Sequence, residues 1–145
     1  MPSRSEGRNS GGERVYVALG SNLGDRHQHL RAAREALAAL PGTCLLAVSS
    51  IEETEPLGGL RQPPYLNQMA LVETTLEPRA LLQALQEIER QEGRRRTAHW
   101  GSRTLDLDIV RYGDRQVREH DLIIPHPELS NRDFWRRELA ELEAR

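Results

Sequence analysis

The chain has 145 residues, of which 37% are hydrophobic and 29% are charged, and its formal net charge is −2. This length suits one domain with a substantial core, and the near-neutral charge excludes a global field that would attract nucleic acid. All 20 basic residues are arginines, which excludes chemistry that depends on lysine, such as a Walker A phosphate loop, a protein-kinase fold or a Schiff base.

Residues 1–13 are polar and rich in glycine and serine, so we expect a flexible tail followed by a single domain over 14–145. The tail lacks the apolar stretch of a secretory signal, and no segment of the chain approaches the roughly 18 apolar residues of a membrane span. The single cysteine, Cys44, excludes an intrachain disulfide. We therefore expect a cytoplasmic protein.

The first two predicted elements are a strand and a helix. Alternating apolar residues predict the strand over 14–21. Asp25 is a suitable N-cap for a helix that continues to about residue 40. The apolar stripe of this helix comprises Leu30, Ala33, Leu37 and Leu40.

The middle of the chain predicts two more strands and a second helix. A strand over 43–51 is followed by a loop over 52–64, where prolines and glycines disfavour regular structure. Another strand is predicted over 65–75. Pro78 suits the first turn of a helix that ends near residue 91, with Leu81, Leu85 and Ile88 facing inward.

A fourth strand over 103–112 follows an arginine-rich loop over 93–102, and short edge structure is predicted after residue 114. The order β-α-β-β-α-β predicts an α+β, ferredoxin-like fold with its helices on one face of the sheet. Because many activities use this fold, the function must be argued from particular residues.

Two acidic residues lie inside the fourth predicted strand. Asp106 and Asp108 are two positions apart, so on a strand they share one face and lie about 6–7 Å apart along the chain. Parallel carboxylates repel each other unless a cation lies between them. The pair could hold magnesium ions roughly 3.5–4 Å apart that keep water and phosphate oxygens as further ligands. The alternative is a solvated polar face of an ordinary sheet.

Arginines crowd the segment before this pair: Arg90, Arg94, Arg95, Arg96 and Arg103. Guanidinium groups bind phosphate through two parallel hydrogen bonds, so carboxylates and arginines together indicate a nucleotide-triphosphate site. The alternative is a solvated loop whose arginines neutralise the aspartates.

Two further segments carry candidate ligand-binding residues. Tyr65 and Asn67 also share one strand face, where an aromatic ring could stack on a flat ligand and an amide could bind the ligand's edge. A core tyrosine and a turn asparagine are the structural alternative. His126 lies between two prolines, which would hold its side chain in a fixed orientation toward a ligand.

The segments YVALGSNLGDR, TEPLGG, PPYLNQMALVET, QEIERQEGR, HWGSRTLDLDIV and IPHPELSNRDF follow one another in this order. Together they resemble the 6-hydroxymethyl-7,8-dihydropterin pyrophosphokinase family of folate biosynthesis, over about residues 14–135. The resemblance implies transfer of pyrophosphate from ATP to the pterin hydroxymethyl group, with release of AMP. It also implies small-molecule substrates and no nucleic-acid or membrane partner. We expect the protein to be a monomer.

The resemblance also implies roles for particular residues. Asp106 and Asp108 would bridge two magnesium ions. Arg94 and Arg103 would neutralise the transferring phosphates. The residues implied for ATP are Gln86, Glu89, Arg96 (or Arg95), Trp100, His126 and Arg132, and those implied for the pterin are Thr54, Pro56, Leu57, Tyr65, Asn67 and Phe134.

The mechanism implied is in-line attack of the substrate hydroxyl on the β-phosphorus, with catalysis by positioning and charge neutralisation. We expect the loop that carries Arg94 and Trp100 to be mobile, with Gly93 and Gly101 as hinges, and to exclude water when it closes.

The sequence departs from the family after Phe134, where FWRRELAELEAR replaces a longer apolar stretch. This departure calls into question the back wall of the domain and the anchoring of Phe134. Three alternatives stay open: a nucleotidyl transferase that releases pyrophosphate, an RNA-binding module, and an inactive homologue. The aromatic content of 4% argues against RNA binding, which relies on stacking.

Overall fold

A computed structural model of the chain describes residues 12–55, 63–93 and 104–144. Its elements, in chain order, are β1 (Glu13–Ser21), α1 (Arg26–Ala38), β2 (Thr43–Val48), β3 (Glu52–Thr54), β4 (Tyr65–Thr74), α2 (Pro78–Gln91), β5 (Asp106–Tyr112), β6 (Val117–Glu119), β7 (Leu122–Ile124), a 3-10 turn (Pro127–Ser130) and α3 (Asp133–Glu143). None of the helices in these three segments combines the length and the apolar character that crossing a membrane requires. The predicted tail lies largely outside the described residues.

The main sheet is antiparallel, with the strand order β2-β4-β1-β5 and with β3 also paired to β4. The two strands separated by the first helix are therefore not neighbours, since β4 lies between β1 and β2. This arrangement confirms the predicted α+β, ferredoxin-like fold. Strands β6 and β7 form a separate hairpin.

The prediction for residues 43–64 is wrong in two places. The predicted strand over 43–51 ends at Val48, and the predicted loop begins with the short strand β3. At the break, the Ser49 hydroxyl accepts a hydrogen bond from the Met69 backbone N–H at 2.8 Å, while the Ser49 N–H donates to the Met69 carbonyl at 2.8 Å. A side-chain oxygen therefore replaces a backbone partner, and the chain leaves the regular ladder before it pairs again.

Helices α1 and α2 cover one face of the sheet. The Asp25 carboxylate accepts a hydrogen bond from the Gln28 N–H at 3.2 Å, which confirms the predicted cap, although α1 ends at Ala38 rather than near residue 40. The buried core on this face includes Val15, Val17, Leu19, Leu30, Ala33, Leu37, Leu81, Leu85, Ile88, Leu107 and Ile109. Both predicted helical stripes therefore face the sheet as expected.

Helix α3 packs on the opposite face, so the prediction that the helices lie on one face holds only for α1 and α2. Trp135, Leu139 and Leu142 recur at helical spacing and are buried against Ala18, Met69, Leu71 and Val110 of the sheet. Phe134 packs against the same cluster. The C-terminal segment therefore forms a wall over the second face and anchors Phe134 there.

Candidate active site

The aspartate pair lies on the sheet face that α3 covers. Asp106 and Asp108 are half-buried on β5, whereas Leu107 and Ile109 are buried on the other face, as the alternation predicts. On the neighbouring strand β1, Gly20 lies opposite Asp106 and Ala18 lies opposite Asp108. Because these neighbours carry little or no side chain, they leave space beside the carboxylates in which a ligand could lie.

Gly20 is the middle position of a row that crosses three strands. It pairs with Asp106 on β5 and with Asn67 on β4, so the three residues share a face. At the usual strand spacing, the outer two backbones lie about 10 Å apart. A Cβ atom built on Gly20 would lie 3.5 Å from Asn67 Oδ1 and 3.5 Å from Tyr65 Cδ1. Both side chains therefore border the space above Gly20.

The two residues implied to bind the edge of a pterin contact each other. Asn67 Nδ2 donates a hydrogen bond to Thr54 Oγ1 at 2.6 Å, and Thr54 pairs in register with Tyr65. Asn67 is buried, while Tyr65 and Thr54 are half-buried. The hydrogen bond fixes the orientation of the Asn67 amide, with its oxygen on the side of Gly20.

His126 is held beside Asp108. Its Nδ1 accepts a hydrogen bond from the Glu128 N–H at 3.0 Å, and its own backbone N–H donates to the Val110 carbonyl at 2.9 Å. Its Nε2 lies 3.7 Å from Asp108 Oδ1. Because Nδ1 acts as an acceptor, the proton of the neutral ring is on Nε2, which is the atom directed to the carboxylate.

The implied residues on α2 differ in burial. Glu89 is buried, and its Oε2 accepts a hydrogen bond from the Leu107 N–H at 2.7 Å. Since Leu107 lies between the two aspartates, this bond fixes the backbone that carries them. Gln86 is exposed on the same helix. Arg94, Arg96, Trp100, Arg103, Pro56 and Leu57 lie outside the described residues.

Arg132 and Phe134 lie at the start of α3, on either side of its first residue. The Arg132 guanidinium carbon lies 4.5 Å from the centre of the Trp135 ring, and the Phe134 and Trp135 ring centres are 6.4 Å apart. Within the described segments, Arg132 has no carboxylate partner and its Nε forms no hydrogen bond. Its charge is therefore not neutralised by an acidic side chain there.

A cavity of about 290 Å³ lies along the outer edge of β5, the last strand of the main sheet. Its apolar walls include Leu82 and Ile109, and Asp108 and His126 are among its polar lining residues. Leu82, Gln86 and Glu89 recur at helical spacing, so they lie along one side of α2. The cavity therefore reaches Asp108 of the aspartate pair and, through Leu82, borders the helix that carries the implied ATP residues.

The sequence model of the 7,8-dihydro-6-hydroxymethylpterin-pyrophosphokinase (HPPK) family matches residues 16–144. The chain belongs to this family. The residues that carry the earlier resemblance therefore lie within the matched region.

Three relatives are each named 2-amino-4-hydroxy-6-hydroxymethyldihydropteridine pyrophosphokinase. The Haemophilus influenzae protein is 46% identical over 83% of this chain and 75% of its own length. The Pseudomonas aeruginosa protein is 45% identical over 90% of this chain and 80% of its own length. The Bacillus subtilis protein is 42% identical over 88% and 77%, respectively.

The donor set of this HPPK family member fits magnesium. Mg²⁺ prefers oxygen ligands and commonly retains waters and substrate phosphates beside one or two carboxylates. Asp106 and Asp108 offer carboxylates on one half-exposed face. Among the described residues, no group of three or more acidic, histidine or cysteine side chains forms a complete metal cage. The pair therefore suits a metal that arrives with phosphate rather than a permanent structural ion.

Two features of the α3 face were not predicted. Trp135 contacts both His126 and Arg132, and its only sequence signal is the aromatic doublet that it forms with Phe134. Glu138 is 1% exposed, and neither of its carboxylate oxygens is hydrogen-bonded in the described part of the chain. Burial, with the nearby Glu52 carboxylate as a second cause, raises the pKa of Glu138 to about 8.

Proposed function

We propose that this HPPK family member performs its reaction on the open surface that runs from Tyr65 and Asn67, across Gly20, to Asp106 and Asp108. The reaction transfers the pyrophosphoryl group of ATP to the hydroxymethyl group of 6-hydroxymethyl-7,8-dihydropterin, in folate biosynthesis. The observation that carries this assignment is the row in which Asn67, Gly20 and Asp106 face the same side of three adjacent strands.

ATP occupies the β5 side of this surface in our proposal. The triphosphate lies along Asp108, His126 and Arg132, where the His126 Nε2–H beside Asp108 and a guanidinium with no carboxylate partner in the described segments offer hydrogen-bond donors. We place the adenosine in the cavity of about 290 Å³ beside Asp108, where Leu82 of α2 forms part of the wall. Gln86 and Glu89 lie one and two turns further along the same side of α2. The support is that Asp108 and His126 both line that cavity.

The pterin lies over Gly20, between the rings of Tyr65 and Phe134. Both rings are on the α3 side of the sheet, since Tyr65 borders Gly20 and Phe134 packs on the cluster that contains Ala18. Asn67 and Thr54 bind the amide-like edge of the pterin, and the backbone near Pro56 and Leu57 completes the pocket. A ring in this position directs its hydroxymethyl group toward the aspartates.

The transfer requires no covalent enzyme intermediate. The substrate hydroxyl oxygen forms a bond to the β-phosphorus as the bond from that phosphorus to the α,β-bridging oxygen breaks. AMP leaves with the bridging oxygen, and the hydroxyl proton is released. His126 and Arg132 would bind and neutralise the phosphates. By the resemblance, Arg94, Arg96 and Arg103 would add to this neutralisation and Trp100 would contact ATP.

Two magnesium ions, held by Asp106 and Asp108, would neutralise phosphate charge and orient the polyphosphate for in-line attack. The support is the fit of this oxygen pair to Mg²⁺ and the backbone bond from Leu107 to Glu89, which fixes the pair. The monomeric state and the cytoplasmic location stay predictions from the sequence.

The test is to incubate the purified chain with ATP, magnesium and the hydroxymethyl pterin and to identify the nucleotide product. We expect AMP and the pterin diphosphate, and no reaction when magnesium is removed with a chelator. Release of pyrophosphate with a nucleotidylated product would instead establish the nucleotidyl-transferase alternative. Absence of turnover would support the inactive homologue.

A further inference from the structure

We propose that Trp135 is a positioning residue, which holds His126 and Arg132 in the orientations that bind the triphosphate of ATP. The inference rests on the proposed function, because that function assigns the triphosphate to these two side chains. Trp135 itself is 2% exposed and lies beneath them, so it reaches the ligand only through its neighbours.

The contact with His126 is made between rings. The ring centres lie 4.9 Å apart and the ring planes meet at 89°, which is the favourable edge-to-face arrangement. The His126 ring also contacts the Glu128 N–H at Nδ1 and the Asp108 carboxylate beside Nε2. Since a hydrogen bond to Nδ1 alone allows the ring to tilt, Trp135 fixes the ring plane and thereby the direction of Nε2–H.

The contact with Arg132 is a cation–π interaction. The guanidinium carbon lies 4.5 Å from the centre of the Trp135 ring, and the Trp135 backbone N–H donates to the Arg132 carbonyl at 3.1 Å. A salt bridge would occupy the guanidinium N–H groups, whereas an aromatic face stabilises the cation without using them. Because the Arg132 Nε is buried, the terminal NH₂ groups are the ones that would bind phosphate.

The Trp135 side chain therefore contacts both His126, the N-cap of the 3-10 turn, and Arg132, the N-cap of α3. Both N-cap positions are terminal, where backbone structure alone fixes side chains weakly. Trp135 packs with Met69 and Val110 of the sheet. It therefore fixes the positions of His126 and Arg132 relative to β5, the strand that carries Asp108.

The experiment measures the affinity of a non-hydrolysable ATP analogue with magnesium, by calorimetry, for the parent chain and five variants. Trp135→Leu and Trp135→Phe remove the ring or change it, and His126→Ala and Arg132→Ala remove its two neighbours. Leu139→Val is the matched control, because Leu139 is equally buried in the same cluster on the same helix. The proton NMR signals of the His126 ring in the free protein are the second readout.

We expect Trp135→Leu to weaken binding of the analogue about tenfold and Trp135→Phe about threefold, with Leu139→Val unchanged. The His126 ring signals move in both Trp135 variants, because the ring current of the indole is lost. If Trp135→Leu does not fold, the affinity and the NMR signals of Trp135→Phe are used to test the proposal.

Parent-like affinity in the folded Trp135 variants would overturn the proposal whether or not the His126 signals move, because loss of the indole ring current shifts those signals by itself. If His126→Ala and Arg132→Ala still weaken binding in that case, the assigned triphosphate site stands without Trp135. If those two variants also bind like the parent, the site assignment fails as well. An equal loss in Leu139→Val would mean that Trp135 acts only through packing, and would also contradict the proposal.

Discussion

The two faces of the main sheet differ in what covers them. On the α1 and α2 face, strand and helix residues form a continuous apolar core that includes Leu30, Leu85 and Leu107, each 5% exposed or less. On the α3 face, apolar packing is confined to a smaller cluster around Trp135, and the same strands also present Asn67 and the aspartate pair there.

The alternation of strand side chains makes this division possible. Leu107 and Asp108 are adjacent in sequence, yet the Leu107 side chain is buried in the larger core and the Asp108 carboxylate is half-buried on the opposite face. The packed face fixes the strands, and the fixed strands hold polar groups at set distances on the other face. Substitutions on the first face should therefore change stability, and substitutions on the second should change activity.

Asp108→Ala should have the largest effect. We expect the rate of AMP formation to fall by about 10³-fold or more, because a metal ligand at the transferring phosphates is lost. The free energy of unfolding, measured with urea, should change by less than about 1 kcal/mol, since the side chain is only half-buried. Asp114→Ala, at the exposed turn after β5, is the control and should match the parent. An unchanged rate in Asp108→Ala would refute the metal-binding role.

Leu85→Ala tests the opposite face. Truncating this side chain, which is 1% exposed, should lower the free energy of unfolding by about 2–5 kcal/mol through lost burial and a residual cavity. Urea titration gives the stability, and the rate per folded molecule should stay within about twofold of the parent, a change worth less than about 0.5 kcal/mol. Leu46→Ala, where the parent side chain is 42% exposed, should change stability little. A large loss of rate in folded Leu85→Ala would show that the two faces are not separate.

Glu138→Gln sharpens the comparison, because Glu138 is a buried acid on the mostly apolar side of α3. Its raised native pKa, about 8, means that the folded state retains a proton that the unfolded chain loses near its ordinary value. The contribution of protonated Glu138 to the stability of the folded state is therefore fully present below the pKa of the unfolded chain. It is lost as pH rises through the folded-state pKa of about 8.

We expect Glu138→Gln to match the parent near pH 5 and to exceed its stability by about 1–3 kcal/mol near pH 8 in urea titrations. Glu35→Gln, at an exposed position on α1, should show no such pH-dependent gain. If the free energies of unfolding of the parent and Glu138→Gln differ by the same amount at both pH values, Glu138 does not release a proton between them, and the account of its raised pKa is wrong.

Tyr65→Ala should have the smallest effect of these substitutions, and the effect should be limited to binding of the pterin. We expect the affinity for the pterin to fall about tenfold because a stacking ring is lost, while the affinity for the ATP analogue changes by less than about twofold. Calorimetry measures both affinities, and Tyr65→Phe should retain most of the pterin affinity because it keeps the ring. A larger loss for the ATP analogue than for the pterin would overturn the assigned pocket.

Periodicity in the sequence was sufficient to predict the packed face. The helical stripes that contain Leu30 and Leu85 each face the core, because burial of a stripe depends on spacing alone. The alternation over residues 105–109 likewise placed Asp106 and Asp108 on one face. These patterns are local, so a single sequence reveals them.

The features that were missed depend on contacts between distant segments. Strand β3 and the break before it depend on the Ser49 hydroxyl meeting the Met69 N–H, a contact across 20 residues. The contacts of Trp135 depend on how the 3-10 turn approaches α3. Helix α3 has few apolar residues among many charged ones, so its sequence alone does not show that one side is buried. That side becomes apparent only from its packing against the small apolar cluster on the sheet.

The most direct test of the central claim is a crystal structure of the chain with magnesium, a non-hydrolysable ATP analogue and the hydroxymethyl pterin. The proposal predicts magnesium bound to carboxylate oxygens of Asp106 and Asp108, the triphosphate against His126 and Arg132, and the pterin above Gly20. Magnesium and triphosphate bound elsewhere, with the two aspartates turned away from any ion, would contradict it.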